Sequence, residues 1–194
     1  TRRAHRLAAD AFLLDLPPYP SGRFTGRGVV IAGGGKYLPG AYVTVRMLRH
    51  FGWEGPVQIW YLGPPDRDEP ILAAIAEHEV EYVDILAHPE ASKCRRLGGF
   101  PDPQRGGIHP AFELKSFAVL HSPFEETLLI DSDNYPCSDV QGLFSDPQYK
   151  STGGIYWPDL PHTERWTQWR FWNVGKHGPA AGLETGQYLI DKRL

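Results

Sequence analysis

Gly28-Val29-Val30-Ile31-Ala32-Gly33-Gly34-Gly35 is a short, largely β-branched apolar run with glycine at both ends. An apolar run without polar alternation marks a strand buried on both faces, the habit of parallel sheets covered by helices. Pro39 follows where the first turn of a helix accepts it, and Tyr42, Val43, Met47, Leu48 and Phe51 recur at helical spacing before Gly52 closes the helix. Val57 to Leu62 reads as a second strand, Pro70 to His78 as a helix and Val80 to Ile85 as a third strand. This β-α-β-α-β alternation predicts an α/β fold: a Rossmann-like, mostly parallel sheet flanked by helices.

Working outward, residues 87 to 110 carry Cys94, Gly98, Gly99, Pro101, Pro103, Gly106, Gly107 and Pro110 with no periodicity. A loop of that length is expected to be a substrate-side insertion. Phe112 to Leu120 regains helical spacing, and Thr127 to Ile130 is another buried strand; Gly154 to Asp159 and Tyr188 to Ile190 read as strands as well. Residues 1–26 mix Arg, Pro, Gly and Ser around Ala11 to Leu16 and read as a lead-in segment lying on the main body, with 27–194 as one domain. The last strand ends without punctuation, so the natural protein is expected to continue past Leu194.

Composition narrows the function. Twenty Lys and Arg stand against 23 Asp and Glu, a net charge of −3, so no basic field exists to wrap nucleic acid or dock on anionic lipid. An anionic ligand must therefore find local positive charge. Cys94 and Cys137 are too few and too irregular for a disulfide scaffold or a zinc site. No apolar stretch approaches the length of a membrane span. The chain opens on Thr1, so a signal or anchor is free to have been removed, and no Asn-x-Ser/Thr sequon occurs. The expected compartment is the cytoplasm, with the Golgi lumen as the alternative if an anchor preceded Thr1.

The sharpest chemical signal is Asp131-Ser132-Asp133-Asn134, directly after the apolar strand. In an extended segment residues i and i+2 share a side, so Asp131 and Asp133 are expected to present two carboxylates outside the strand's carboxyl end, where open α/β sheets bind ligands. Two adjacent carboxylates repel unless a cation joins them, and Mn²⁺ or Mg²⁺ would do so while keeping positions for phosphate oxygens. The competing reading is a polar turn closed by Asx hydrogen bonds. Tyr135-Pro136 excludes a calcium EF-hand loop.

Gly33-Gly34-Gly35-Lys36-Tyr37 lies between the first strand and its helix. It fails the P-loop pattern, with Tyr37 where Ser or Thr should stand, and fails G-x-G-x-x-G, with Leu38 at the third glycine. A site for a base or ribose remains, against a purely structural tight turn. Lys115, on the helix before the Asp131 strand, is placed to offer positive charge to a diphosphate or else to be a solvated surface lysine. Trp157 and Asp159 end a strand, and Trp166, Trp169 and Trp172 form a stripe suited to packing or to stacking on sugar faces. Glu184-Thr185-Gly186-Gln187 combines a carboxylate and an amide suited to vicinal hydroxyls.

Taken together, Gly28 to Leu62, Lys115-Ser116-Phe117-Ala118, Ser122-Pro123-Phe124, Leu128 to Tyr135, Leu143-Phe144, Trp157-Pro158-Asp159 and Glu184-Thr185-Gly186-Gln187 resemble the fungal mannan-type α-mannosyltransferase family. The resemblance runs from about Gly28 to Asp191. It implies a GT-A fold, a GDP-mannose donor, a glycan or other hydroxyl acceptor, Mn²⁺ (or Mg²⁺) held through Asp131 and Asp133, and retention at the transferred sugar. With the reading of the loop and strand ends above, donor contacts are expected from Gly33, Gly34, Gly35, Lys36, Tyr37, Lys115, Ser132, Asp133, Trp157 and Gly186. Glu184 or Asp159 would face the anomeric carbon and Gln187 would orient the sugar, with Thr185 standing where the family has Ser. A sugar-nucleotide pyrophosphorylase and a non-catalytic nucleotide-sugar binding domain are the alternative readings.

Overall fold

The structure, a computed structural model, describes residues 2–91, 113–158 and 183–193. Six strands form one sheet: β1 (Arg27–Ala32), β2 (Val57–Tyr61), β3 (Val80–Asp84), β4 (Glu126–Asp131), β5 (Gly154–Pro158) and β6 (Leu183–Asp191). Their spatial order is β3-β2-β1-β4-β6-β5. The first four neighbours are parallel, whereas β6 runs antiparallel to both β4 and β5.

The continuous apolar runs are buried on both faces, as their lack of alternation predicts. Val29 and Ile31 join Leu128, Ile130 and Leu189 in a core covered by α2 (Leu38–His50), α3 (Glu69–Ala76) and α5 (Pro147–Thr152). Val30 and Leu129 face the other way, onto Leu114, Phe117 and Ala118 of α4 (Glu113–His121). Gln58 is the polar exception inside β2; its amide donates to Glu81 at 2.6 Å and accepts from the Trp60 indole at 3.0 Å, so its burial leaves no unmet hydrogen bond.

Local chemistry sets the helix ends. Pro39 stands in the first turn of α2, and Gly52, at φ 88°, reverses the chain beyond it while its amide donates to Arg49 O. The buried stripe of α2 is Leu38, Ala41, Thr44, Val45 and Leu48, a rotation away from the stripe expected from sequence, and Val43 is exposed. Asp68 caps α3 by accepting from Ile71 N, and Asp146 caps α5 by accepting from Gln148 N and Tyr149 N. The sequence reading omitted α5, although Asp146-Pro147 and Gly153 frame it with ordinary start and stop signals.

The lead-in segment differs from expectation. Arg2–Leu14 forms a helix, α1, whose Leu7, Phe12, Leu13 and Leu14 are exposed, so apolar spacing there reports helix and not burial. Further along, Tyr19 donates its hydroxyl to Glu125 at 2.9 Å and Phe24 is buried beneath Lys192. No described helix is long and apolar enough to cross a membrane.

Candidate functional site

β1 pairs with β2 on one side and with β4 on the other, and the chain leaves β1 toward β2 and β3 before returning to β4. The crevice outside the carboxyl ends of β1 and β4 is therefore the topological switch point, where open α/β sheets bind ligands. Gly33-Gly34-Gly35 leaves β1 at that edge, and Asp131-Ser132-Asp133 leaves β4 beside it, in register, with Ala32 opposite Asp131.

Asp131 to Asn134 is a turn: Asn134 N donates to Asp131 O at 3.0 Å. The extended geometry expected from spacing is thus replaced by a reverse turn that leaves Asp131 half-buried and Asp133 exposed. Helix α2 grips this turn from below. Thr44 is fully buried, its hydroxyl 3.2 Å from Asn134 O and from Gly40 O, and a Cβ on Gly40 would overlap Ser132 O. Ser132 is itself buried, with its Cβ 3.0 Å from where a Cβ on Gly33 would lie, so its side chain packs behind the crevice wall.

Lys115 Nζ lies 2.5 Å from Asp131 Oδ2, with side chains only 16% and 20% exposed. That is the positive charge that the composition demanded near an acidic site, delivered by the first turns of α4. Tyr188 of β6 is on the same face and was not singled out from sequence. Burial pushes its hydroxyl up to about 12, helped by Tyr156 and the Asp131 charge and opposed by a Ser116 hydrogen bond. Only the fold could reveal it, because β6 pairs with β4 from the far end of the chain.

That pairing also brings Glu184-Thr185-Gly186-Gln187 to the site. Gln187 stands opposite Ile130, and the strand then continues through Gly186 and Glu184 past the end of β4. Trp157, half-buried on the outermost strand β5, is separated from β4 by β6. Asp159 and the stripe Trp166, Trp169 and Trp172 lie outside the described residues.

On the β2 side, Gly34 is extended at φ −144° and Gly35 turns back at φ 53° into a 3-10 turn, Gly35–Tyr37, that leads into α2. Lys36 is exposed, its ammonium over the Tyr37 ring. The carboxylate of Asp66 packs against Gly34 and Gly35: its Oδ2 is 2.9 Å from a Cβ built on Gly34, and its Oδ1 is 2.9 Å from one on Gly35. Asp66 accepts from Leu62 N at 3.0 Å, and burial pushes its carboxyl up, with the Leu62 hydrogen bond opposing and the Asp84 charge adding.

Among the described residues no cluster of three His, Cys, Asp or Glu side chains is poised as a complete metal cage. Asp131 and Asp133 supply two hard oxygen donors on one turn, which fits an ion such as Mn²⁺ or Mg²⁺ that takes few carboxylates and keeps positions for phosphate oxygens.

A family model described as Mannosyltransferase (Mannosyl_trans3) matches residues 26–169, which span β1 to β5 and both sides of the crevice. The chain belongs to this mannosyltransferase family. It is 30% identical over 143 residues to the alpha-1,2-mannosyltransferase MNN2 of Saccharomyces cerevisiae, covering 73% of this chain and 22% of that one. It is 32% identical over 138 residues to MNN23 of Candida albicans, covering 69% and 21%. The chain thus spans about a fifth of these curated relatives.

Among solved structures, the galactosyltransferase LgtC bound to donor and acceptor sugar analogues matches with a TM-score of 0.57 at 15% identity, covering 86% of this chain and 58% of that one. Mouse xyloside xylosyltransferase 1 matches with a TM-score of 0.55 at 16% identity, covering 86% and 67%. At these identities the likeness is one of fold. The chain has the GT-A architecture, as expected from its sequence.

Proposed function

We propose that this chain is the nucleotide-sugar-binding part of a retaining α-mannosyltransferase that moves mannose from GDP-mannose to a hydroxyl of a glycan. The carrying observation is the Lys115–Asp131 pair at the β1/β4 switch point, in a chain of a mannosyltransferase family. In the transfer the bond from the anomeric carbon to the diphosphate breaks, a bond to the acceptor oxygen forms and the acceptor hydroxyl's proton is carried off by the released diphosphate or by solvent. Charge develops on the leaving diphosphate, and preorganised positive charge in a partly dry crevice is worth most there.

Lys115 is held for that task by its ion pair with Asp131, which places its ammonium at the mouth of the crevice. Asp131 and Asp133 would hold Mn²⁺ or Mg²⁺, which when bound neutralises diphosphate charge. The glycine run at the end of β1, in register beside the Asp131 turn, would border the nucleoside side of the crevice. Glu184 or Asp159 would face the anomeric carbon as nucleophile or ion-pair stabiliser, and Gln187, beside the end of β4, would orient the donor sugar.

Incubating the protein with GDP-mannose, an α-mannoside acceptor and Mn²⁺ and resolving the product by NMR tests this. An α-linked product supports the reading. Conversion of GDP-mannose and added pyrophosphate to GTP and mannose 1-phosphate would revive the pyrophosphorylase reading, and GDP-mannose that binds without turnover would favour a binding domain.

A further inference from the structure

A cavity of about 240 Å³ opens at the amino-terminal end of the sheet, lined by Arg27, Trp53, Glu54, Gly55, Gln141 and Phe144. Arg27 begins β1 and Ala32, level with Asp131, ends it, so at about 3.3 Å per residue the cavity lies about 17 Å along the strand from the crevice. Its walls are fixed. The guanidinium of Arg49 donates to Trp53 O at 2.7 Å and to Gly55 O at 2.8 Å, which clamps the loop after α2, and the Trp53 ring stacks on Phe144 with centroids 5.4 Å apart. Gly55 keeps one side of that ring open. A Cβ there would lie 2.5 Å from Cζ2 and 2.8 Å from Cε2 of the indole, and Cε2 is the carbon that bears Nε1.

The polar groups around this cavity have unused capacity. Trp53 is 5% exposed, and its Nε1–H is buried without a hydrogen-bond partner among the described residues. A buried donor left unmet costs free energy and calls for an explanation. Arg27 engages Glu126 through Nε, and among the described residues no hydrogen bond uses its two terminal nitrogens. Gln141 donates its amide nitrogen to Gly52 O at 3.0 Å, which leaves Oε1 as an acceptor. The Glu54 carboxylate is exposed, with no hydrogen bond or ion pair among the described residues.

Donors and acceptors are therefore mixed around an aromatic floor. Arg27 repels a cation and Glu54 repels an anion, so the set fits a neutral ligand. A hydroxyl both donates and accepts, and a ring that carries vicinal hydroxyls and apolar C–H faces uses the polar groups and the floor together. Small-molecule sites begin at about 300 Å³, so 240 Å³ holds a single ring. We infer that this cavity is a sugar-binding site apart from the donor crevice, seating one pyranose ring of a glycan. Arg27, Glu54 and Gln141 hold its hydroxyls above the Trp53 edge. In a chain of a mannosyltransferase family, a glycan anchored there keeps its other hydroxyls at raised effective concentration near the crevice.

The test is titration of the 194-residue chain with methyl α-D-mannopyranoside, followed through the indole N–H signals in ¹⁵N-correlated NMR spectra without nucleotide or metal. The chain has 6 Trp, and the signal missing in Trp53→Phe is that of Trp53. This signal should shift and saturate as the sugar is added. Glu54→Ala alters an exposed side chain, so it should keep the wild-type melting temperature and bind the sugar about tenfold more weakly. Asp131→Asn/Asp133→Asn should bind it as the wild type does.

A Trp53 signal that stays in place throughout the titration would overturn the inference, as would equal affinity in Glu54→Ala. Loss of the shift in Asp131→Asn/Asp133→Asn would put the sugar in the crevice and overturn it too. So would a shift of the Trp53 signal with sodium sulfate and none with the mannoside, which would assign the cavity to an anion. None of these results touches the nucleotide-sugar reading, which is decided by nucleotide binding at the other end of the sheet.

Discussion

Lys115 and Asp131, sixteen positions apart on α4 and β4, meet at 2.5 Å at the mouth of the sheet, and their side chains are largely withdrawn from solvent. A pair so placed is poorly screened, and its ammonium is fixed where a leaving diphosphate would need it. Lys115→Met should therefore lower kcat for mannosyl transfer by about 10²- to 10³-fold, with a smaller change in donor KM. Steady-state kinetics on a GDP-mannose series measures both. An unchanged kcat would reduce Lys115 to a structural counter-ion.

Gly40 touches the same turn from α2, and any Cβ there overlaps Ser132 O. Backbone cannot move aside as a flexible side chain can, so Gly40→Ala should cost about 1–3 kcal/mol and displace the Asp131 turn. Urea unfolding gives the first quantity and Mn²⁺-dependent GDP affinity reports the second. The normal gain of alanine over glycine in a helix, about 1 kcal/mol, would appear in its place if the contact were relaxed at no cost.

Glu126 ties the amino-terminal end of the sheet together. Its carboxylate, 9% exposed, accepts from Arg27 at 2.5 Å and from Lys150 at 3.0 Å. Burial pushes its carboxyl up, but the hydrogen bonds from Arg27 and Lys150 outweigh it and leave the group below its ordinary value. A carboxyl depressed in the fold contributes stability above its unfolded value of 4.5 and loses it as pH falls below that. Glu126→Gln should cost about 1.5–3 kcal/mol at pH 7 and much less at pH 3. Chemical denaturation at the two pH values checks this.

Lys192 behaves in the opposite chemical sense. Its ammonium donates to Ser122 O at 2.8 Å and to Ser122 Oγ at 3.0 Å, and it sits 4.1 Å from the centre of the Phe24 ring. Burial, with Arg23 nearby, lowers its pKa from 10.5 to about 7. Between those values the unfolded chain binds the proton and the folded chain does not, so stability should rise as pH increases from about 7 toward 10.5. Melting temperatures across that range should climb more steeply for the wild type than for Lys192→Met. Parallel slopes would show that the amine stays charged in its pocket.

The centre of the sheet was legible because β1 and β4 carry continuous apolar runs, and lack of alternation alone places Val29 to Ile31 and Leu128 to Ile130 inside. The Asp131 segment was legible as chemistry but not as geometry. Its carboxylates follow a turn and not an extended strand, because Gly40 and Thr44 of α2 hold the backbone of Ser132 and Asn134, a contact that no local pattern encodes.

Asp66 escaped notice because Gly63-Pro64-Pro65-Asp66 reads as a loop, and only the reversal at Gly63 turns the acid onto the glycine run. Tyr188 carried no local signal, since its nearness to Asp131 comes from antiparallel pairing between segments almost sixty residues apart.

The central claim is that the β1/β4 crevice binds a nucleoside diphosphate through the Asp131 turn, and calorimetric titration of GDP with and without Mn²⁺ tests it most directly. The account predicts Mn²⁺-dependent binding to the wild type that disappears in Asp131→Asn/Asp133→Asn while the fold, followed by circular dichroism, is retained. Binding of equal strength in the double variant, or binding indifferent to Mn²⁺, would contradict it.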